Sequence, residues 1–224
     1  MNRVFNFEGP VFTFLSRLAD LFWLNLLYIL CCIPVISAGA ATTAMYYVTL
    51  KMAKNEEGYI TRSFFKSFKE NFVQATLMWL AVLLVAFVLF IDLRIAGSGS
   101  IPGTSVKNVV TVAVGVMAII VSMILMYLFP LLAQFDNTVK NTVRNSFLIS
   151  IRHLPYTVLM MILTVLPVAL IWFFPALLLI VAIMFSATAY IKSGFLNRIF
   201  ELYMPDKDNT EDSSDPAEGI NGEG

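Results

Sequence analysis

The stretch YITRSFFKSFKEN, residues 59–71, is the longest basic amphipathic segment in an otherwise oily chain. On a helix, Ile60, Phe64, Phe68 and Phe72 follow one another at spacings of four, with Phe65 beside them. Arg62, Lys66 and Lys69 fall on the other side. Rings on one face and cations on the other is the pattern of a helix lying flat in a membrane surface, aromatic side down and bases towards anionic headgroups. Arg62, Phe64, Phe65, Lys66, Phe68 and Lys69 are therefore the candidate residues for membrane-interface contact or partner docking. Directly after this stretch, residues 73–91 form a clean apolar span with Trp79 inside it.

Composition extends that reading to the whole chain. Of 224 residues, 58% are hydrophobic and only 13% charged, against about 25% charged in a soluble domain. The mean hydropathy is +0.79, as expected of an integral membrane protein. The net charge of zero hides a segregation. Residues 206–224 hold seven acids (Asp206, Asp208, Glu211, Asp212, Asp215, Glu218 and Glu223) and one base, Lys207, a net −6 that leaves the rest at +6. This tail has too few apolar residues to fold. The expected organisation is a transmembrane helical domain over 1–205 and a disordered acidic tail over 206–224.

The remaining segments follow in order. Pro10 suits the first turn of a helix, and 11–19 reads as an interfacial lead-in carrying Arg17 and Asp20. Residues 21–36 are nearly all apolar, with Asn25 the one strongly polar group and Cys31 and Cys32 behaving as small hydrophobes. Pro34, Ser37 and Gly39 mark a helix break, with Ser37 as N-cap of a short second segment over 38–53. The two pieces make either a tight hairpin or one kinked span. Further apolar runs cover 108–132, where Pro130 ends or kinks the helix, then 156–174 and 175–190, with Lys192 and Arg198 closing the membrane part and a short amphipathic exit at 199–204. Glu8, Gly9 and Pro10 interrupt any cleavable signal, so the first span is expected to direct insertion.

Loops 51–71 and 134–155 carry five and three bases, whereas 92–107 carries two. The positive-inside rule places the first two in the cytoplasm. The expected fold is all-α, a polytopic transmembrane helical bundle of about six membrane segments with interfacial amphipathic helices and both termini cytoplasmic. Five segments, with Arg3 and Arg17 outside, is the alternative. SFFKSFKE at 63–70 aligns without gaps on SFLISIRH at 146–153, a faint repeat of the kind found in membrane folds.

Little here points to chemistry. A single histidine, His153, excludes the usual zinc patterns, and neither G-x-x-x-x-G-K-[ST] nor G-x-S-x-G occurs. Glu56 and Glu57 lie in a polar turn, and the span centres contain no ionisable residue, the usual mark of ion-coupled transport. No enzymatic activity, cofactor, metal or nucleic acid is expected. The lipid bilayer is the one partner that composition implies.

The stretch EGPVFTFLSRLADLFWLNLLYILCCIPVISAGAATTAMYYVTLKM, followed by EGYITRSFFKSFKENFVQAT, resembles the YesL family of Firmicutes integral membrane proteins, a family of unknown function. The resemblance covers roughly residues 6–200. Members of that family often accompany carbohydrate ABC-transporter and polysaccharide-degradation genes. The resemblance therefore implies a cell-membrane, non-enzymatic accessory or assembly factor for carbohydrate (ABC-type) uptake, with transporter subunits as partners. A small permease or channel-forming subunit for a neutral solute is the alternative reading.

The topology can be checked by labelling intact cells with an impermeant maleimide, in a protein lacking Cys31 and Cys32. Ser63→Cys is expected to stay unlabelled and Ser98→Cys to react. Reaction at position 63 or protection at 98 overturns the arrangement, and reaction of Asn2→Cys favours five segments.

Overall fold

The computed structural model describes residues 10–56, 58–98, 104–173 and 178–203. Its elements are α1 (Pro10–Cys32), α2 (Ala38–Ala53), α3 (Ile60–Gly97), α4 (Thr104–Gln134), α5 (Val139–Arg152), α6 (Leu154–Phe173) and α7 (Leu178–Glu201), with a 3-10 turn at Val35–Ser37. Among the described residues there is no strand, so the fold is all-α. Each of the six apolar segments read from sequence is helical over most of its described length, the first ending at Cys32 rather than Ile36, and 174–177 lie outside the described residues. By length and composition, three described helices could cross a membrane, α1, α3 and α4, and α5 with the first part of α6 would make a fourth bent by 102°. At 16 residues, α2 falls short of the ~20 a span needs. The acidic tail 206–224 lies outside the described residues.

The junction of α1 and α2 is a hairpin. Arg17 Nη2, near the start of α1, donates to Asn55 Oδ1, just past the end of α2, at 2.5 Å. The two helices therefore run antiparallel about the corner at 33–37. Pro34 holds an extended conformation there, with φ −75° and ψ 109°. Ser37 does not cap α2 with its side chain. Its own backbone is helical (φ −85°, ψ −2°), and its hydroxyl points backwards to the carbonyl oxygens of Cys31 and Pro34 at 2.7 and 2.8 Å. Carbonyls left over at the end of α1 are thus satisfied from across the corner.

Gly39 is not part of the break. It is the second residue of α2 and is buried, and a Cβ there would stand 2.6 Å from both the Ala75 carbonyl oxygen and Trp79 Cβ of α3. The small residues of AGAATTA let two backbones meet, as membrane helix interfaces require. Trp79 Nε1 donates to the Val35 carbonyl at 2.8 Å and ties α3 to the corner. Ten of the sixteen residues of α2 are buried, which puts this helix at the centre, against α1, α3, α4 and α7.

The basic stretch 59–71 does not form a helix of its own. It opens α3, which continues unbroken to Gly97, so it shares the axis of the apolar run that follows it. Pro130 neither ends α4 nor stands at its end; it is buried inside a helix that runs on to Gln134.

Residues 139–152, read as part of a polar connection, form the amphipathic helix α5, which packs on α4 with Thr142, Ser146, Ile149 and Ser150 buried. The chain then turns at His153. Pro155 cannot donate to the Ile151 carbonyl, and the Thr157 hydroxyl instead serves the Ser150 and His153 carbonyls at 2.9 and 3.0 Å. With its proton so used, that hydroxyl accepts from Tyr127 Oη at 3.0 Å. The aligned stretch 63–70 has no such bend after it, so the two copies of the faint repeat continue differently. Helix α7 runs past Tyr190 to Glu201, which places Lys192 inside it and buried, rather than at its exit.

Gly39→Ala is expected to lower stability by roughly 1–3 kcal/mol, because a backbone carbonyl cannot move aside cheaply. Gly115→Ala, where an added Cβ meets nothing within 4 Å, is expected to be neutral or slightly stabilising. Thermal unfolding in detergent compares the two; equal effects would refute the close contact.

Candidate functional site

The end of α2 builds the floor of a cleft. Asn55 adopts φ 56°, a left-handed conformation that asparagine tolerates better than most residues. Glu56 N–H then donates to the Lys51 carbonyl and Asn55 N–H to that of Met52, at 3.0 and 3.1 Å. That pair of bonds closes the helix in a Schellman motif and turns the chain towards α3. Between this turn, the first turns of α3 and the start of α1 lies a cleft of about 950 Å³.

Five bases line it: Arg17 from α1, Lys51 from α2, and Arg62, Lys66 and Lys69 from α3. Asp20 and Glu56 are the acids among its lining residues, so the cleft is net positive. Arg17 braces it from behind, through Asn55 and through Tyr190 Oη of α7 at 2.9 Å. Trp23 Nε1 donates to Thr61 Oγ1 at 2.9 Å, joining the α1 wall to the α3 wall. Lys51 Nζ lies 4.7 Å from the Tyr47 ring centroid. Lys66 reaches Glu70 at 4.0 Å, a pair whose side chains are 61% and 58% exposed. These cations therefore attract anions from a hydrated surface, through interactions that salt screens.

Of the six interface or docking residues read from sequence, the cleft gathers Arg62, Phe65, Lys66 and Lys69. Phe64 turns away into the protein core, fully buried, and Phe68 is half-buried, its ring stacked on Phe64 with centroids 6.2 Å apart. Arg17, Trp23 and Lys51 were not among the six. They come from two other helices, and nothing local in the sequence links them to 59–71. Pro34, Ser37 and Gly39 lie at the opposite end of α2. Cys31 and Cys32 are free thiols, packed partly against the core. Asn25 is buried.

A second, more apolar groove of about 580 Å³ lies between α4, α5 and the end of α7, lined by Leu131, Phe135, Asn145, Arg152 and Tyr203 among others. Arg152 and His153 meet Tyr203 there, with the guanidinium 5.8 Å from the ring and His153 Nε2 3.4 Å from the phenol oxygen.

Residues 21–93 match the model of a family described as "Protein of unknown function, DUF624". That segment holds the α1–α2 hairpin corner, α2, most of α3 and every cleft base except Arg17. Over 149 residues, the chain is 31% identical to "Uncharacterized protein YesL" of Bacillus subtilis (strain 168), covering 66% of this chain and 68% of that protein. The chain belongs to the YesL-like DUF624 family. A second relative in the same organism, "Uncharacterized protein YteU", is 26% identical over 147 residues, 65% of this chain and 64% of YteU, so the match spans just under two thirds of that relative. No solved structure matches the chain. The DUF624 segment supplies two of the cleft's three walls from α2 and α3, and α1 contributes the third partly from outside it.

Arg17→Ala removes the bonds to Asn55 and Tyr190 together. It is expected to lower stability by about 1–3 kcal/mol, read as a shift in detergent unfolding, whereas Lys66→Ala, with only an exposed ion pair to lose, is expected to change it by about 0.5 kcal/mol or less. Equal effects would show that Arg17 does not brace the cleft.

Proposed function

We propose that this chain is a non-enzymatic accessory protein of the cell membrane that works with a carbohydrate importer, and that the basic cleft is its partner-docking surface on the cytoplasmic side. The observation that carries the docking surface is the convergence of Arg17, Lys51, Arg62, Lys66 and Lys69 from three helices on one concavity flanked by Trp23 and Phe65. Clustered bases with aromatic neighbours suit an acidic segment of another protein. The charge bias of the loops supports the cytoplasmic side. The family resemblance supports the kind of partner, an ABC-type carbohydrate transporter subunit.

One observation favours the alternative, a small permease for a neutral solute. A buried polar strip runs between α2 and α7, with Thr49 Oγ1 2.8 Å from Ser193 Oγ and Asn197 Nδ2 donating to the Leu50 carbonyl at 3.0 Å, and Lys192 is buried close by. The strip's hydroxyls are bonded to one another in this structure, as in helix-joining contacts, so a solute path there would have to break them.

Replacing the three α3 bases (Arg62→Gln, Lys66→Gln, Lys69→Gln) is expected to leave insertion normal and abolish co-purification of importer subunits. Altered topology would assign these bases to insertion alone, and unchanged association would refute docking at the cleft. Solute uptake by the purified protein alone in liposomes would establish the permease instead.

A further inference from the structure

The basic cleft and the acidic tail belong to the same chain. We propose that residues 206–224 occupy the cleft as an intramolecular ligand, held by charge and displaced when an acidic partner segment binds. The proposal deepens the docking reading, since it names what fills the site when no partner is present.

Three observations carry it. The first is complementarity: the tail bears seven acids and one base, and the cleft is lined by five bases and two acids. The second is position. Midway along α7, Tyr190 is bonded to the cleft base Arg17, and nearer its end Asn197 is bonded to Leu50, the neighbour of the cleft base Lys51. From Asn197 the helix and its last turn advance about 9 Å to Tyr203, which stands beside Arg152 of α5, so α7 joins the cleft's back wall to the point from which the tail must reach. The third is reach. A flexible chain of about 20 residues has a root-mean-square span of about 25 Å. A tether of that length holds its far end at an effective concentration in the millimolar range, where even weak, screened attractions fill a site.

The nearest competing basic surface is α5. Its bases Lys140, Arg144 and Arg152 are exposed along a single helix rather than gathered in a concavity, and Arg152 already lies over Tyr203. The cleft presents bases from three directions, so an acidic segment there meets several at once. A tail too polar to fold alone needs no defined structure to be held in this way.

The test places p-benzoylphenylalanine at Phe65, which lines the cleft and is 37% exposed, in the full chain reconstituted in nanodiscs containing anionic lipid. Irradiation in low salt is expected to yield an intramolecular product joining position 65 to a peptide from 206–224. Its yield is expected to fall about fivefold or more in high salt. It should fall likewise when the tail is neutralised by Asp206→Asn, Asp208→Asn, Glu211→Gln, Asp212→Asn, Asp215→Asn, Glu218→Gln and Glu223→Gln. Those changes lie beyond α7, so loss of the product cannot be ascribed to a misfolded bundle. Absence of a tail peptide in low salt overturns the proposal. So does a yield indifferent to salt and tail charge, or products confined to lipid adducts or to dimers of the chain. A tail product in a protein that binds no importer subunit sustains this proposal while removing the docking reading; association with importer subunits but no tail product does the reverse.

Discussion

At Gly39, α2 and α3 touch backbone to backbone, with space for a hydrogen and for nothing larger. The rest of the arrangement depends on that contact. It fixes how close α3 can lie to the central helix, and the Trp79–Val35 bond beside it fixes where the α1–α2 corner sits along α3. Once those two points are set, α1 must return antiparallel to α2, and Arg17 arrives beside Asn55. The cleft is the consequence at the far end of the same helices, where α1 stands off from α2 and α3 and side chains replace backbone contact. A narrow joint at one end and a charged opening at the other come from one geometry.

The bundle is otherwise joined by hydroxyl and amide groups. Ser186 Oγ donates to the Leu21 carbonyl at 2.6 Å, linking α7 to α1. Thr49 with Ser193 and Asn197 with Leu50 link α7 to α2, and Tyr127 with Thr157 links α4 to α6. Among lipid tails, apolar side chains gain little by leaving one apolar medium for another. Cross-helix polar contacts, each worth roughly 0.6–2 kcal/mol, and close backbone packing take over the work that a hydrophobic core does in water. That is why the buried interior of so oily a chain is rich in serine and threonine, while large apolar side chains such as Phe87, Phe90 and Leu84 remain exposed.

Much of this was legible in the chain. Among the described residues every apolar segment is mainly helical, and the second was bounded correctly at 38–53 because a small-residue run begins after Ser37 and bases close it. Gly39 was misread as part of the break, since a glycine looks the same in sequence whether it bends a chain or admits a neighbour; only the position of Ala75 and Trp79 decides. The division between 59–71 and 73–91 was drawn from a change in charge, yet no proline or glycine stands between Ile60 and Ile95, and without a breaker the helix goes on. Helix α5 was visible only in part, through the likeness of 146–153 to 63–70, because its buried face is mostly hydroxyls rather than apolar groups. The cleft was half visible: the α3 bases announce themselves by spacing, but Arg17 and Lys51 join them only through tertiary packing.

The continuity of α3 bears directly on what the cleft can reach. A helix of 38 residues is about 57 Å long, and about 54 Å at a usual tilt of 20°, whereas the hydrocarbon core is about 30 Å thick. An unbroken α3 that crosses a bilayer must therefore extend well beyond the hydrocarbon. The uncharged run 73–91 is about 28 Å long and suits the hydrocarbon, which leaves the segment bearing Arg62, Lys66 and Lys69 as the part that projects. Lying flat along the surface would require a turn after Asn71, and α3 runs through that point without a break. In that setting the bases would be carried outward on an extension of the span rather than laid along the headgroups. Their apolar neighbour Phe64 is spent on the protein's own core, while Phe65 and Phe72 stay exposed beside the bases.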